Sequence, residues 1–335
     1  MTAVSEAWAA LEAEGRRESG WHVRRVHPAA PCEILAGLRR PDDIPGLLLE
    51  VPVDQVPPDL ALPRSQGFIV ETALLGSGHA GVVRFSLALT DRSYGAVFTV
   101  LCEDVADTAA AGSTPRIALR NWTGRLHIWQ AFMARHGSGG LPDAAVTGLV
   151  GELVFLRDEL APRVGLGAAV AMWAGPSGEP NDFALPGGFV EIKATTRQAP
   201  ELIEITNADQ LDDSRGRIVL GHVRLRLEGG GATLPQLAAD VRRQLAGEAP
   251  QALADFDSRL LAAGYLAAHD DLYVRAYRRD RLELFDVTGA FPRLTRAGLG
   301  AGIRNCSYTI ELAACVPFAV EPTVLDTLTE ESALG

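Results

Sequence analysis

The sequence predicts an α/β fold, a mixed β-sheet flanked by helices, preceded by a β-rich N-terminal domain. Three observations carry this reading. Runs rich in β-branched and aromatic residues crowd the first third of the chain; helical stretches follow from Arg116; beyond them short strand-like runs are succeeded by more helix and strand, the layout of an α/β protein. The 335 residues suffice for one large or two ordinary domains, and 47% apolar against 22% charged residues sets wholesale disorder aside.

In chain order, Ser5 to Arg17 reads as a helix. The passage PDDIPGLLLEVPVDQVPPDLALPRS reads as turns and edge strands, because each Pro removes a ladder donor. GFIVETALL, AGVVRFSLAL and YGAVFTVLCEDV, broken by GSGHAG and TDRSYG, read as a β-meander. ADTAAAGSTP is the most linker-like stretch, so the first domain is placed at 1–110, for recognition or partner binding, and the second at 111–335. Helices are expected over Arg116–His136 and Pro142–Leu160, then strand-like runs at AAVAMWA, DFAL, FVEIKATT, ELIEIT and RIVLGHVRLRLE. Two amphipathic helices, around LPQLAADVRRQLA and ALADFDSRLLAAGYL, precede a hairpin-like LYVRAYRRDRLELFDV and a closing strand, YTIELAACVPFAV.

Several function classes drop out. No window of 18 uninterrupted apolar residues exists, and the N-terminus carries acids without an apolar stretch behind them, so neither a membrane span nor a secretory signal is expected. Cys32, Cys102, Cys306 and Cys315 lie far apart, with no CxxC, which reads as a reduced cytoplasmic protein. The seven histidines form no HxH or HExxH. VGLGAAVAMWAG holds G-x-G but lacks the third Gly and the strand-to-helix frame of a dinucleotide site, which disfavours an oxidoreductase built on it, and GxxxxGK[ST] is absent, which disfavours a built-in ATPase. A net charge of −11 argues against a protein that coats nucleic acid by itself. Charge is uneven, however: Arg275, Arg278, Arg279, Arg281, Arg293, Arg296 and Arg304 cluster near the C-terminus, and Arg16, Arg17, Arg24, Arg25, Arg39 and Arg40 near the start. These are either solvated surface arginines or a phosphate-facing surface.

The chemistry gathers in NDFALPGGFVEIKATT, residues 181–196, which holds Lys193, the only lysine in the chain. Asp182 and Glu191 flank ALPGG, whose Pro-Gly-Gly marks a tight hairpin connection. Adjacent strands lie about 5 Å apart, so carboxylates on facing arms can touch one ion. Strand alternation puts Glu191 and Lys193 on one face and Ile192 on the other. Two unpaired carboxylates about 4 Å apart at an effective dielectric of about 20 repel by roughly 4 kcal/mol, so the site requires a cation or a shared proton. Mg²⁺ suits it, being typically held by one or two carboxylates with water and substrate phosphate filling the octahedron. Lys193 can then orient or deprotonate a water, a task the forked and permanently charged guanidinium cannot perform. Glu152 interrupts the apolar helix GLVGELVFL beside Gly148 and Gly151, where close backbone approach is allowed; its simplest role is a further ligand, direct or through water.

The set Glu152, Asp182, Glu191 and Lys193 resembles the PD-(D/E)XK nuclease superfamily, in which a helix glutamate precedes an Asp…(D/E)-x-K hairpin. More narrowly, GLVGELVFL, WAGP…NDF, FVEIKAT and ITNADQL resemble a bacterial family catalogued as domain of unknown function 4420, found beside restriction and anti-phage defence genes. The resemblance runs from about residue 70 to 320 and is specific over 147–211. Asn181 stands where the superfamily name has Pro, a variable position. The resemblance implies a restriction-endonuclease-like core and a Mg²⁺-dependent endonuclease acting on DNA, with Mn²⁺ able to substitute. Asp182 and Glu191 would hold the metal with the Ile192 carbonyl, supported by Glu152, while Gln210 would be a polar residue near the metal; Asn207 capping a turn is the plainer reading of that segment. It also implies defence-locus partners, a helicase-like ATPase or a methyltransferase, and allows a homodimer. The rival reading is a non-catalytic DNA-binding or scaffolding subunit of such a complex.

Overall fold

The computed structural model describes residues 3–15, 18–75, 81–197 and 201–330. Arg16 and Arg17, at the end of the first expected helix, and residues 76–80, in the GSGHAG turn, lie outside them. The chain divides into two units, residues 1–140 and 141–335.

The first unit opens with α1 (Val4–Ala13), whose Val4, Ala7, Trp8 and Leu11 are buried at helical spacing. An antiparallel sheet follows: β1 (Gly20–Val26), β2 (Glu33–Arg40), β3 (Ile44–Pro52), β4 (Phe68–Leu74) and β5 (Val82–Leu89), in spatial order β1-β2-β3-β5-β4. Then come α2 (Gly95–Ala110) and α3 (Pro115–His136).

Three expectations are corrected here. The Pro-rich passage contains β3, the middle strand of the sheet rather than an edge. Pro45 and Pro52 stand near its two ends, where a missing donor costs least, and Leu47, Leu48 and Leu49 between them are fully buried. YGAVFTVLCEDV is not a strand, because the periodicity of its burial outweighs its β-branched content: Val97, Phe98, Leu101, Cys102, Val105, Ala106 and Ala109 form one stripe of α2. The expected linker ends α2 and starts α3, where the Thr114 hydroxyl accepts from Ile117 N at 3.3 Å. A Cβ on Gly112 would meet Ala118 N at 2.6 Å, so the joint is tight, and the first unit runs on to Gly140.

The second unit starts with α4 (Asp143–Phe155), which passes through a π-helical turn at Leu156–Leu160 into α5 (Ala161–Val164) and then α6 (Leu166–Met172), the last replacing the strand expected at AAVAMWA. Next are β6 (Phe183–Leu185), β7 (Gly188–Thr195), β8 (Leu202–Ile205), β9 (Ile218–Thr233), α7 (Leu234–Glu248) and α8 (Leu253–Ala262). The chain closes through β10 (Ala276–Asp286), β11 (Tyr308–Glu311), α9 (Leu312–Cys315), β12 (Ala319–Val320) and α10 (Val324–Thr329). The hairpin expected around RRDR is one strand, β10; the register shift between Arg279 and Arg281 makes Asp280 a bulge, not a turn. The closing strand is broken by α9.

The main sheet has the order β12-β10-β9-β7-β6, with β7 and β9 parallel and the other pairs antiparallel. This is the mixed sheet flanked by helices that the sequence predicts. Ile192, Val219 and Val223 pack on one face with Val150, Leu153 and Val241 from α4 and α7. Phe189, Leu220 and Phe285 pack with Ile203 and Ile310 of the separate β8–β11 ribbon.

α4 meets β7 through Gly151, where an added Cβ would sit 2.4 Å from Ala194 Cβ; at Gly148 nothing lies within 4 Å. Helix propensity alone favours Ala over Gly by up to about 1 kcal/mol at both positions. Gly148→Ala is therefore expected to raise the urea midpoint, whereas Gly151→Ala lowers it, overpacking costing about 1–3 kcal/mol of stability. Of the two glycines expected to allow close approach, only Gly151 does so.

Candidate active site

β6 and β7 form a hairpin through Pro186-Gly187, in register Phe183↔Val190 and Leu185↔Gly188. β6 is too short to cover the far half of β7. Asp182 is a bend residue just before β6 rather than a strand residue, and continuing the register puts it opposite Glu191. Its Oδ2 accepts from Ile192 N at 2.7 Å, a bond that stands in for the missing ladder. In a strand the N–H and C=O of one residue leave on the same side, so the Ile192 carbonyl also faces the Asp182 side.

Glu191 is 1% exposed, and its Oε1 lies 2.8 Å from Lys193 Nζ. Its Oε2 is buried with no hydrogen-bond partner. Burial, with Asp182 adding repulsion, pushes the Glu191 carboxyl up to about 8 against the pull of Lys193 and of the Asn181 side chain. Burial likewise lifts Asp182 to about 6, opposed by the Ile192 N–H and Lys193. Glu152, near the end of α4, is raised well above the carboxylate range by burial and then by Asp182; Trp173 Nε1 donates to its Oε2 at 2.7 Å.

Burial pulls the Lys193 ammonium down, but Glu191, Asp182 and Glu152 together outweigh it and leave the group raised. An amine held this way is a donor, so of the two roles read from the sequence the environment supports orienting a water, not deprotonating it. A second bond of the ammonium runs to Gln210 Oε1 at 3.2 Å. That oxygen also accepts from Thr206 N at 3.0 Å and Thr206 Oγ1 at 3.2 Å, and Asn181 Nδ2 donates to the Gln210 carbonyl at 2.7 Å. Asn207 does cap this turn, accepting from Asp209 N at 3.1 Å, so the structural reading of the segment and its approach to Lys193 both hold.

The donor set suits a divalent cation: Asp182 and Glu191 crowd enough to resist joint ionisation, the buried Glu191 Oε2 lacks a partner, and the Ile192 carbonyl adds a neutral oxygen. One expectation is narrowed. Among the described residues no three His, Cys, Asp or Glu side chains are close enough to hold one metal ion, so Glu152 does not complete a three-carboxylate cage with the other two. Its Oε2 accepts from the indole of Trp173, which favours the water-mediated one of the two roles read from the sequence.

The family model described as "Putative PD-(D/E)XK family member, (DUF4420)" matches residues 4–313. The chain belongs to this family. No curated protein and no solved structure matches it.

In this DUF4420 protein the match takes in both units, well beyond the segment 147–211 that carries the motif. Three participants in the site were not legible as such. Trp173, in the core with no exposed surface, is a packing residue that also fixes Glu152; Thr206 orients Gln210; and buried Asn181 ties the hairpin to the turn that carries Gln210. Their only sequence signal is membership of the WAGP…NDF and ITNADQL segments.

Among the described residues most members of the two arginine clusters pair with acids, Arg16 and Arg17 lying outside those residues. Arg24, Arg25, Arg39 and Arg40 pair with Glu14, Glu33, Glu71 and Asp43. Arg275, Arg278, Arg279, Arg281, Arg293 and Arg296 pair with Asp143, Glu228, Glu159, Glu201, Asp213 and Asp209. No described helix is long and apolar enough to cross a membrane.

Proposed function

We propose that this DUF4420 protein is a cytoplasmic Mg²⁺-dependent endonuclease that hydrolyses phosphodiester bonds in DNA as part of a restriction or anti-phage defence system, with Mn²⁺ able to replace Mg²⁺. The observation that carries the reading is the placement of Lys193: its ammonium bridges Glu191 and Gln210 while the second oxygen of Glu191 remains unpartnered beside Asp182. Asp182, Glu191 and the Ile192 carbonyl would hold the cation. When bound, it supplies Lewis-acid polarisation of a phosphoryl oxygen and a lowered pKa for a coordinated water. Lys193 donates to the attacking water or to the charge developing on the phosphate. Gln210 holds the amine in that direction, and Glu152 supports the water network from α4. Because surface arginines are largely paired with acids and the chain carries −11, delivery to DNA falls to a partner, a helicase-like ATPase or a methyltransferase.

Supercoiled plasmid, linear duplex and single-stranded RNA incubated with the chain and Mg²⁺ or Mn²⁺ test the reading. Metal-dependent cutting of DNA that disappears in Asp182→Asn and Lys193→Ala supports it. Equal cutting by all three proteins, or calorimetric Mn²⁺ titrations that do not differ between wild type and Asp182→Asn, would sink it and favour the non-catalytic scaffold.

A further inference from the structure

Across the main sheet, Lys193 on β7 is the register partner of His222 on β9, and His222 is in turn the partner of Glu283 on β10. Side chains at partnered positions share a face, so these three make one polar row, and the next row on that face, Glu191–Leu220–Phe285, is apolar only at Leu220 and Phe285. His222 is 1% exposed, an unusual burial for a histidine. Its Nδ1 lies 3.4 Å from Glu283 Oε2, while its Nε2 is buried with no partner.

The carboxylate at Nδ1 selects the tautomer that carries its proton there, leaving Nε2 an acceptor. Burial pushes the imidazole down; Glu283 and Glu201 pull the other way and Arg281 assists, so the ring is neutral near pH 7. An ammonium has three N–H donors, and among the described residues Lys193 gives two of them to Glu191 and Gln210. The backbones of Lys193 and His222 are register partners on neighbouring strands, so a buried acceptor and a spare donor share one stretch of one sheet face, where a single water can join them.

We propose that His222 is a positioning residue for Lys193: its Nε2 and the third N–H of the amine hold one water between them, which fixes the direction of the ammonium. The proposal concerns the site described above but does not require the nuclease reading, because its first readout is spectroscopic. With one lysine in the sequence, lysine labelled at Cε and Nζ gives a single side-chain signal from Lys193.

His222→Leu is expected to shift that signal, and His222→Gln, which retains a polar group near the position of Nε2, to leave it near the wild-type value. An unchanged Lys193 signal in His222→Leu would overturn the proposal. A variant-free arm covers the case in which His222→Leu does not fold: imidazole ¹⁵N spectra of the wild type are expected to show His222 as the Nδ1–H tautomer, and an Nε2–H tautomer would overturn the proposal equally. Where DNA cleavage is measurable, His222→Leu should lower kcat about tenfold or more with KM unchanged, restored largely by Gln. A shifted Lys193 signal in a protein that cuts nothing would retire the nuclease reading and leave this one standing.

Discussion

Lys193→Ala is expected to lower single-turnover DNA cleavage by about 10²- to 10⁴-fold, the range lost when a positioned proton donor or electrostatic stabiliser is removed. The effect is large because nothing nearby replaces the amine: Lys193 is the only lysine in the sequence, and Arg215 and Arg224 pair with Glu179 and Glu201. Lys193→Arg should recover little. Its planar fork cannot reproduce a point donor held at 2.8 Å from Glu191 and 3.2 Å from Gln210 in a side chain only 18% exposed. Circular dichroism should be unchanged in both variants, so that rate and fold are read separately. Loss of less than tenfold in Lys193→Ala would remove Lys193 from the chemistry.

The second large effect is on stability and carries a definite sign. In the metal-free protein the Glu191 carboxyl sits at about 8 against an ordinary 4.5, because burial and then Asp182 oppose its ionisation. Between those values the folded chain retains a proton that the unfolded chain has released, so stability must fall as pH rises through this window and level off above it. Asp182, raised from 3.8 to about 6, acts in the same direction over the lower part. Taken singly, the Glu191 shift corresponds to about 5 kcal/mol and the Asp182 shift to about 3 kcal/mol. Urea midpoints in EDTA should therefore drop from pH 5 to pH 8, and Glu191→Gln, which carries no charge to bury, should flatten most of that slope. At pH 8 millimolar Mg²⁺ or Mn²⁺ should restore the midpoint in wild type but not in Asp182→Asn, since a ligand that binds only the folded state stabilises it. A pH-independent wild-type midpoint would mean that the carboxylates are not crowded.

The triplet Glu191-Ile192-Lys193 was legible because strand alternation is a local rule: a residue and its second neighbour share a face whatever surrounds them. The hairpin was legible from Pro186, Gly187 and Gly188, where Gly188 adopts φ 149 and a Cβ would lie 2.4 Å from the Arg217 carbonyl. Glu152 was marked by a carboxylate in an apolar helix, though not its bond to Trp173. Local reading failed where two signals competed. In α2 the β-branched composition pointed to strand while a stripe of buried positions closed a helix; in β3 the flanking prolines hid six ladder-competent residues between them. At Asp280 a charged triplet looked like a turn, but the neighbouring β9 supplied a continuous partner that turned it into a bulge.

By itself the sequence determined the α/β class, the hairpin and the identity of the acids and the amine, because composition, periodicity and turn chemistry act over a few residues. The tertiary structure alone decided which groups meet: that Glu152 is tied to an indole, that Gln210 returns to Lys193 across 17 residues, and that His222 is the register partner of Lys193. Those pairings arise from strand order and register. Both are set by burial summed over the whole sheet, which no local stretch of sequence records.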